Sequence, residues 1–319
     1  MKTTAAINPN IQVQKKSIAY RIKRELTANK YLYIMALPVI LYYLIFHYGT
    51  MYGAIIAFKK FDIVKGVWGS PWVGFRYFKQ FFDDYYFWRL IRNTFMISIN
   101  QIIWGFPAPI IFALLLNEIK AAKFKKLVQT ISYLPHFIST VVVCGMIFDF
   151  VSRNGLITDI FVFFGGERTN LLAYPQYFRT IYVGSGIWEG VGWGAIIYLA
   201  ALSNIDTEQY EAAKIDGAGR FKQILYVTLP GIMPTIIIML ILKVGHIMSV
   251  GYEKVMLLYN PNTYETADII STYVYRKGIG EGGQFSYSSA VGLFSSVLNF
   301  ILIVGTNYIS KKTNEVSLW

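Results

Sequence analysis

Six long apolar stretches alternate with shorter polar segments along the chain. They cover residues 31–58, 90–117, 127–151, 180–203, 229–250 and 288–310. At a rise of about 1.5 Å per residue, a helix needs about 20 mostly apolar residues to cross the hydrocarbon of a bilayer. Each stretch meets that length. The pattern predicts an all-α, polytopic membrane protein with six transmembrane helices. Pro38, Gly49 and Gly53 interrupt the first stretch, Pro107 and Pro109 lie inside the second, and Pro234 lies near the start of the fifth. Neighbouring helices and side chains in a bundle can satisfy the carbonyls that proline frees. The first stretch is longer than a signal-peptide core and no A-x-A-type site follows it, so it reads as a retained span.

Two polar segments have their own character. Residues 11–30 set Lys15, Lys16, Arg21, Lys23 and Arg24 beside Ile18, Ile22 and Leu26. This is the pattern of a basic amphipathic helix lying on a leaflet, with a disordered basic tail as the alternative. Residues 75–88 are dense in Phe, Tyr and Trp and read as an interfacial aromatic belt, with a substrate-stacking platform as the alternative.

Composition supports the membrane reading. Apolar residues make up 55% of the 319, aromatic residues 17% and charged residues only 15%, against roughly 25% charged in an ordinary soluble domain. The mean hydropathy is +0.42. A net charge of +12 would suggest nucleic acid in a soluble chain. Here the basic residues fall largely between apolar runs, where they report topology, and no nucleic-acid partner is expected. The segments 1–30, 118–126, 204–228 and 311–319 are nearly twice as dense in Lys and Arg as 59–89, 152–179 and 251–287. The first set is therefore expected to be cytoplasmic, with both termini inside. The layout is a cytoplasmic basic segment at 1–30, a transmembrane domain at 31–310 and a cytoplasmic tail at 311–319.

Several chemistries find no support. Cys144 is alone and can form no internal disulfide. No G-x-x-x-x-G-K-[ST] or H-E-x-x-H string occurs, and His47, His136 and His246 lie far apart. No catalytic or metal residue is assigned. Gly278, Gly280 and Gly283 spell G-x-G-x-x-G, but no strand pattern precedes them and a turn is the better reading. No internal repeat stands out.

The polar segment before the fifth span carries the strongest local signal. It reads NIDTEQYEAAKIDGAGRFKQILYVTLPGIMP, from Asn204 to Pro234. Asp206 suits a helix N-cap, with Gln209 three residues on. Asp216–Gly217 ends that helix, since glycine accepts a positive φ. A second short helix then presents Phe221, Ile224 and Leu225 before Leu229–Pro230 opens the next span. An elbow with an apolar face suggests docking into a partner's groove.

These residues resemble the signature of the permease subunits of ABC importers: Glu211-Ala212-Ala213, then Asp216-Gly217-Ala218, then Leu229-Pro230. Trp188, Gly192 and the run to Leu202 are similar to the sugar-importer branch. The likeness spans about 31–310, and is nearest to permeases for oligosaccharides of alginate, aldouronate and pectin type. Val227 stands where the family often has Ile, and Asp206 follows Ile205 where many members have Pro. The resemblance implies a transport subunit of the cytoplasmic (inner) membrane that is not itself an enzyme. It implies a second homologous permease chain, two ATPase subunits that hold ATP and Mg, an extracellular solute-binding protein, surrounding lipid and a sugar substrate. No cofactor is expected on this chain. The ATPase-coupling residues would be Glu211, Ala212, Ala213, Asp216, Gly217, Ala218 and Phe221.

Ionisable residues inside spans are costly and often functional. Glu189 and Lys243 lie at similar distances from the cytoplasmic ends of their spans, and His246 is one turn beyond Lys243. Trp188 and Trp193 flank Glu189. One reading is a sugar path in which the indoles stack on rings and Lys243, with His246 when protonated, faces substrate carboxylates. The other is a Glu189–Lys243 ion pair tying two helices, with the tryptophans as packing. Asp149 reads as interfacial. Asn100 and Asn299 suit either a cavity or contacts between helices. A membrane-embedded enzyme would need a catalytic cluster that the scattered acids and histidines do not supply. A secondary transporter would usually show repeated halves and no such elbow.

Overall fold

The computed structural model describes residues 18–280, 282–314 and 317–318. Among the described residues the chain is helical, with one isolated bridge between Lys59 and Trp72 and no strand. Six helices are long and apolar enough to cross a membrane: Lys30–Phe58, Phe87–Glu118, Thr140–Phe163, Pro175–Leu202, Arg220–Gly245 and Phe285–Lys312.

Contacts divide the chain into two units, the second beginning at Ile56. In the first unit, α1 (Ile18–Ala28) is amphipathic. Lys15 and Lys16, which belong to the expected basic helix, lie outside the described residues. The first span, α2 (Lys30–Phe58), is not broken at Pro38. It passes from α-helix into a π turn at Tyr43–Tyr48 and ends in 3-10 winding from Tyr52. Most of its apolar side chains before Tyr52, Leu32 and Met35 among them, are exposed.

In the second unit a short helix, α3 (Arg76–Phe82), lies ahead of the second span, α4 (Phe87–Glu118). The aromatic segment at 75–88 is only partly a belt. Phe75, Tyr85 and Trp88 are exposed, whereas Phe81 is buried against Phe87, Phe294 and Tyr287. In α4 a π turn at Gln101–Gly105 lies just before Pro107, and in the fifth span another at Ile224–Thr228 lies just before Pro230. Proline supplies no amide and crowds the carbonyl one turn back, and wider winding relieves both.

Two expected spans are corrected. The run 127–151 is not one helix. Pro135 ends α5 (Ala122–Tyr133) through a 3-10 turn at Leu134–Phe137, and the crossing helix starts afresh as α6 (Thr140–Val151), continued after a short break by α7 (Leu156–Phe163). The fifth span does not reach Val250, because its helix ends at Gly245. The fourth span, α8 (Pro175–Leu202), is central. Its Gly192 lets α5 approach so closely that a Cβ there would lie 2.2 Å from the Ser132 carbonyl oxygen. Small residues at such crossings let backbones meet where lipid provides no hydrophobic drive between helices.

After α9 (Thr207–Ile215) and the fifth span, α10 (Arg220–Gly245), the segment 251–287 is not an open loop. It folds into α11 (Tyr252–Leu258) and α12 (Ile270–Tyr275), which bury Val255, Leu258, Ile270 and Tyr273. The last span, α13 (Phe285–Asn314), follows. One core cluster joins α4, α6, α8 and α11 around Phe178 and Tyr182, a second joins α3, α12 and α13 around Phe81 and Tyr273, and a third joins α4, α8 and α10 around Tyr198 and Ile232.

A buried carboxylate locks the segment between the last two spans. Asp268 is fully buried and accepts two bonds from Arg276, at 3.2 and 2.8 Å, one from Arg89 at 3.1 Å and one from the Thr272 hydroxyl at 2.9 Å. Its backbone carbonyl accepts from Asn93 at 3.0 Å, and Arg179 donates to the Asn93 amide oxygen at 2.8 Å. Burial works against the charge of Arg276, but the Asp268 carboxylate outweighs it and raises the guanidinium pKa above its ordinary range. α4, α8 and α12 are thereby tied to one another. Removing one member of a buried ion network leaves the other charges uncompensated, so Asp268→Ala is expected to cost about 3–5 kcal/mol. Denaturant unfolding in detergent checks this, and an unchanged midpoint would show that the cluster does not hold the helices.

Candidate functional site

The elbow before α10 is built from local capping rules. The Asp206 side chain accepts the Glu208 amide at 2.9 Å and starts α9. The helix stops at Asp216, and Gly217 takes φ +74°. The Ala218 amide then reaches the Ala213 carbonyl at 2.8 Å and the Gly217 amide reaches that of Lys214 at 3.0 Å. These two bonds form a complete Schellman end, which satisfies carbonyls that would otherwise be orphaned. Beyond the turn, Gln223 donates to the Ala218 carbonyl at 2.7 Å, and the hydroxyls of Tyr210 and Thr228 meet at 3.1 Å, bracing the two arms. Glu211, Ala212, Asp216 and Gly217 are exposed, and Ala213 and Ala218 are half-buried. Ile215 and Phe221 stand out on either side of the turn, 87% and 78% exposed. The elbow is a rigid projection with an apolar tip.

The second feature is the break that ends α10. From His246 to Gly251 the backbone leaves the helix, and side chains from four other helices meet its polar groups. Asn299 of α13 accepts the Met248 amide at 2.9 Å, and Ser98 of α4 donates to the Ile247 carbonyl. Ser295 of α13, Ser271 of α12 and Tyr182 of α8 donate to the carbonyls of Met248, Val250 and Gly251 at 3.4–3.5 Å. Backbone outside a helix or sheet needs partners for its polar groups when it is buried in protein, and it can also line a cavity. Here it does both.

A cavity of about 510 Å³ lies on one side of the break, between α4, α8 and α10. Gln101, Tyr198, Lys243 and His246 give it polar groups, and Gly186, Gly190 and Gly194 leave its α8 wall bare. Lys243 and His246 thus share a cavity, although His246 caps the helix and is not part of a further turn. Lys243 takes part in none of the ion pairs among the described residues.

The other sequence candidates sit elsewhere. Glu189 does not pair with Lys243. Its partner is Lys254 of α11, at 2.8 Å, and that ammonium also lies 5.8 Å from the Tyr182 ring centroid. After the break the chain folds back so that α11 packs against α6 and α8, which brings Lys254 to Glu189. Trp188 lines a separate apolar groove with Met146, Phe150 and Tyr177. Trp193 stacks on His136, with centroids 4.6 Å apart and planes at 7°. Neither indole lines the Lys243 cavity. Asn299 supports the break, Asn100 donates to the Met96 carbonyl, and Asp149 is exposed. Gln101, Tyr198 and Lys254 carried no sequence signal. The first two are single polar groups in apolar runs, and Lys254 sits in what reads as a loop.

A family model described as "Binding-protein-dependent transport system inner membrane component" matches residues 91–315. The chain is 46% identical over 295 residues to protein LplB of Bacillus subtilis, covering 92% of each chain. It is 43% identical to the polygalacturonan/rhamnogalacturonan transport system permease protein YteP of the same organism, covering 100% of each. The structure is similar to a chain of a bacterial alginate ABC transporter solved in complex with an alginate pentasaccharide-bound periplasmic protein. The TM-score is 0.84 at 39% identity, over 93% of this chain and 100% of that one.

The Glu189–Lys254 geometry has a thermodynamic signature. Glu189→Gln strands a buried ammonium and is expected to cost about 3–5 kcal/mol, most of which the added change Lys254→Met restores. Lys243→Met is expected to add independently to Glu189→Gln. Unfolding midpoints of the single and double variants in detergent check both statements, and coupling of Glu189 to Lys243 in place of Lys254 would overturn the assignment.

Proposed function

The chain belongs to the family of binding-protein-dependent transport system inner membrane components, and we propose how its elbow and its cavity serve that work. It is a multi-pass inner-membrane permease subunit of an ABC importer and not an enzyme. Our reading is that it passes an acidic oligosaccharide, delivered by an extracellular solute-binding protein, through a path formed with a second permease chain. Two ATPase subunits holding ATP and Mg would drive the cycle. The Lys and Arg density of the polar segments supports an orientation with both termini and the elbow in the cytoplasm.

One observation carries the substrate class. Glu189 is already paired with Lys254, so Lys243 lines its cavity with no carboxylate of its own among the described residues. An ionised side chain at membrane depth calls for an opposite charge. A uronic acid carboxylate passing the cavity would supply one, and relatives named for polygalacturonan and alginate handle sugars of that kind. His246 beside Lys243 adds a second donor on the same wall.

The elbow's role follows from its shape. Ile215 and Phe221 bracket a turn that local bonds hold in one conformation. A rigid apolar tip fits a groove on an ATPase and transmits that subunit's closure as a push on α10, whose winding is continuous with the elbow's second arm.

Two expectations test these roles in the complete assembly reconstituted with its binding protein. Lys243→Met should lower uptake of an oligogalacturonate at least tenfold while Lys243→Arg stays within a few-fold, and unchanged uptake in Lys243→Met would remove the carboxylate reading. Gly217→Val places a β-branched residue at a positive φ, a strain of about 1–3 kcal/mol. It should leave membrane insertion intact and abolish the ATPase stimulation that loaded binding protein produces. Full stimulation in that variant would show that the elbow does not carry the coupling.

A further inference from the structure

On the other side of the break lies a second cavity, of about 700 Å³, within the range of small-ligand sites. It is bounded by the break itself, α12, the π turn at Arg276–Gly280 and the first half of α13. Among the described residues its lining contains no Asp, Glu, Lys, Arg or His. It holds instead a row of hydroxyls and one amide, with an aromatic face made by Tyr252 and Tyr275, whose rings stack with centroids 6.0 Å apart and planes at 24°. Ser249 and Asn299, bonded to each other at 2.8 Å, form its inner end. Ser249 also lines a small cavity of about 70 Å³ together with Lys243, His246 and Gln101. The neutral cavity and the Lys243 cavity are thereby joined around the break by shared lining residues.

One group in this wall is unanswered. Ser288 is only 6% exposed, and its hydroxyl finds no partner among the described residues. It lies under Gly278, where a Cβ would come within 3.0 Å of the oxygen. Buried hydroxyls are almost always bonded, and an unbonded one in a residue that lines a cavity calls for a partner such as an ordered water or a ligand group.

We propose that this cavity is a subsite for the uncharged part of a sugar chain. The apolar face of one ring lies on the Tyr252–Tyr275 surface, and its hydroxyls are met by Ser249, Ser271, Ser288 and Asn299. The proposal rests on the sugar-import reading given above and adds a division of labour. The carboxylate is held at Lys243, the neutral ring is held across the break, and a uronic acid oligomer carries both groups. An aromatic face beside neutral hydroxyls suits a carbohydrate ring, which is apolar on its C–H faces and polar at its rim. A phosphate headgroup would want the cations that this wall lacks.

The test uses the complete assembly in vesicles, with an oligogalacturonate as the probe. Tyr275→Ala and Ser288→Ala are each compared with the parent for uptake and for docking of loaded binding protein. Tyr275→Ala is expected to lower uptake at least tenfold, Ser288→Ala about threefold to tenfold, and Tyr275→Phe less than twofold, with docking unchanged in all. Should Tyr275→Ala fail to accumulate in the membrane, Tyr252→Ala decides in its place, because that ring is more exposed. Uptake within twofold of the parent in both alanine variants overturns the subsite while leaving the importer reading intact. A parent assembly that imports no sugar overturns both.

Discussion

Backbone amides and carbonyls shut away from water must find partners inside the protein, and the second unit is organised around the place where α10 stops providing them. Between His246 and Gly251 the ladder is replaced by side chains of Ser98, Tyr182, Ser271, Ser295 and Asn299. Those residues come from α4, α8, α12 and α13, so the break gathers four helices about one stretch of chain. The polar groups on either side of the break follow from that gathering. Lys243 and His246 stand at the last helical turn, Ser249 lines the neutral cavity and the small one that Lys243 and His246 also line, and the reversed direction of the chain returns Lys254 to Glu189.

The charges divide by their degree of compensation. Asp268 is met by two guanidiniums and a hydroxyl, which makes it a structural anchor. Glu189 and Lys254 cancel one another and tie α8 to α11. Such pairs rarely add much stability over apolar residues of the same size, yet the loss of one partner is severe. They therefore hold a single arrangement of helices. Lys243 belongs to neither group among the described residues, and it lines a cavity instead of bracing two helices. The tryptophans lie outside the Lys243 cavity: Trp193 stacks on His136, and Trp188 lines an apolar groove.

Packing and the elbow obey shorter-range rules. Bare α8 positions at Gly186, Gly190 and Gly194 make room for the Lys243 cavity, while Gly192, on another face of the same helix, admits the Ser132 carbonyl. One glycine-rich helix thus provides both a void and a close contact, and rotation about its axis separates the two. At the elbow, the Asp206 cap and the two-bond helix end at Gly217 need only residues within about one turn of each other.

That difference in range separates what the chain itself determined from what the folded protein decided. Four of the six spans were legible within about five residues at their starts, because hydropathy over about 20 residues is a local sum that lipid reads directly. The elbow was legible because caps and positive-φ turns are specified by adjacent residues. Pro135 moved the start of the third span by ending one helix and forcing a new one. The partner of Glu189 was hidden, because similar depth along two helices does not say which faces meet. Lys254 lies 65 positions away, beyond a turn whose direction depends on Asn299, Ser98 and Ser271. Linear pattern measures how far a residue lies along an axis. Only packing sets the rotation about that axis and the return path of the chain, and those two quantities decided which charges cancel and which one faces the cavity.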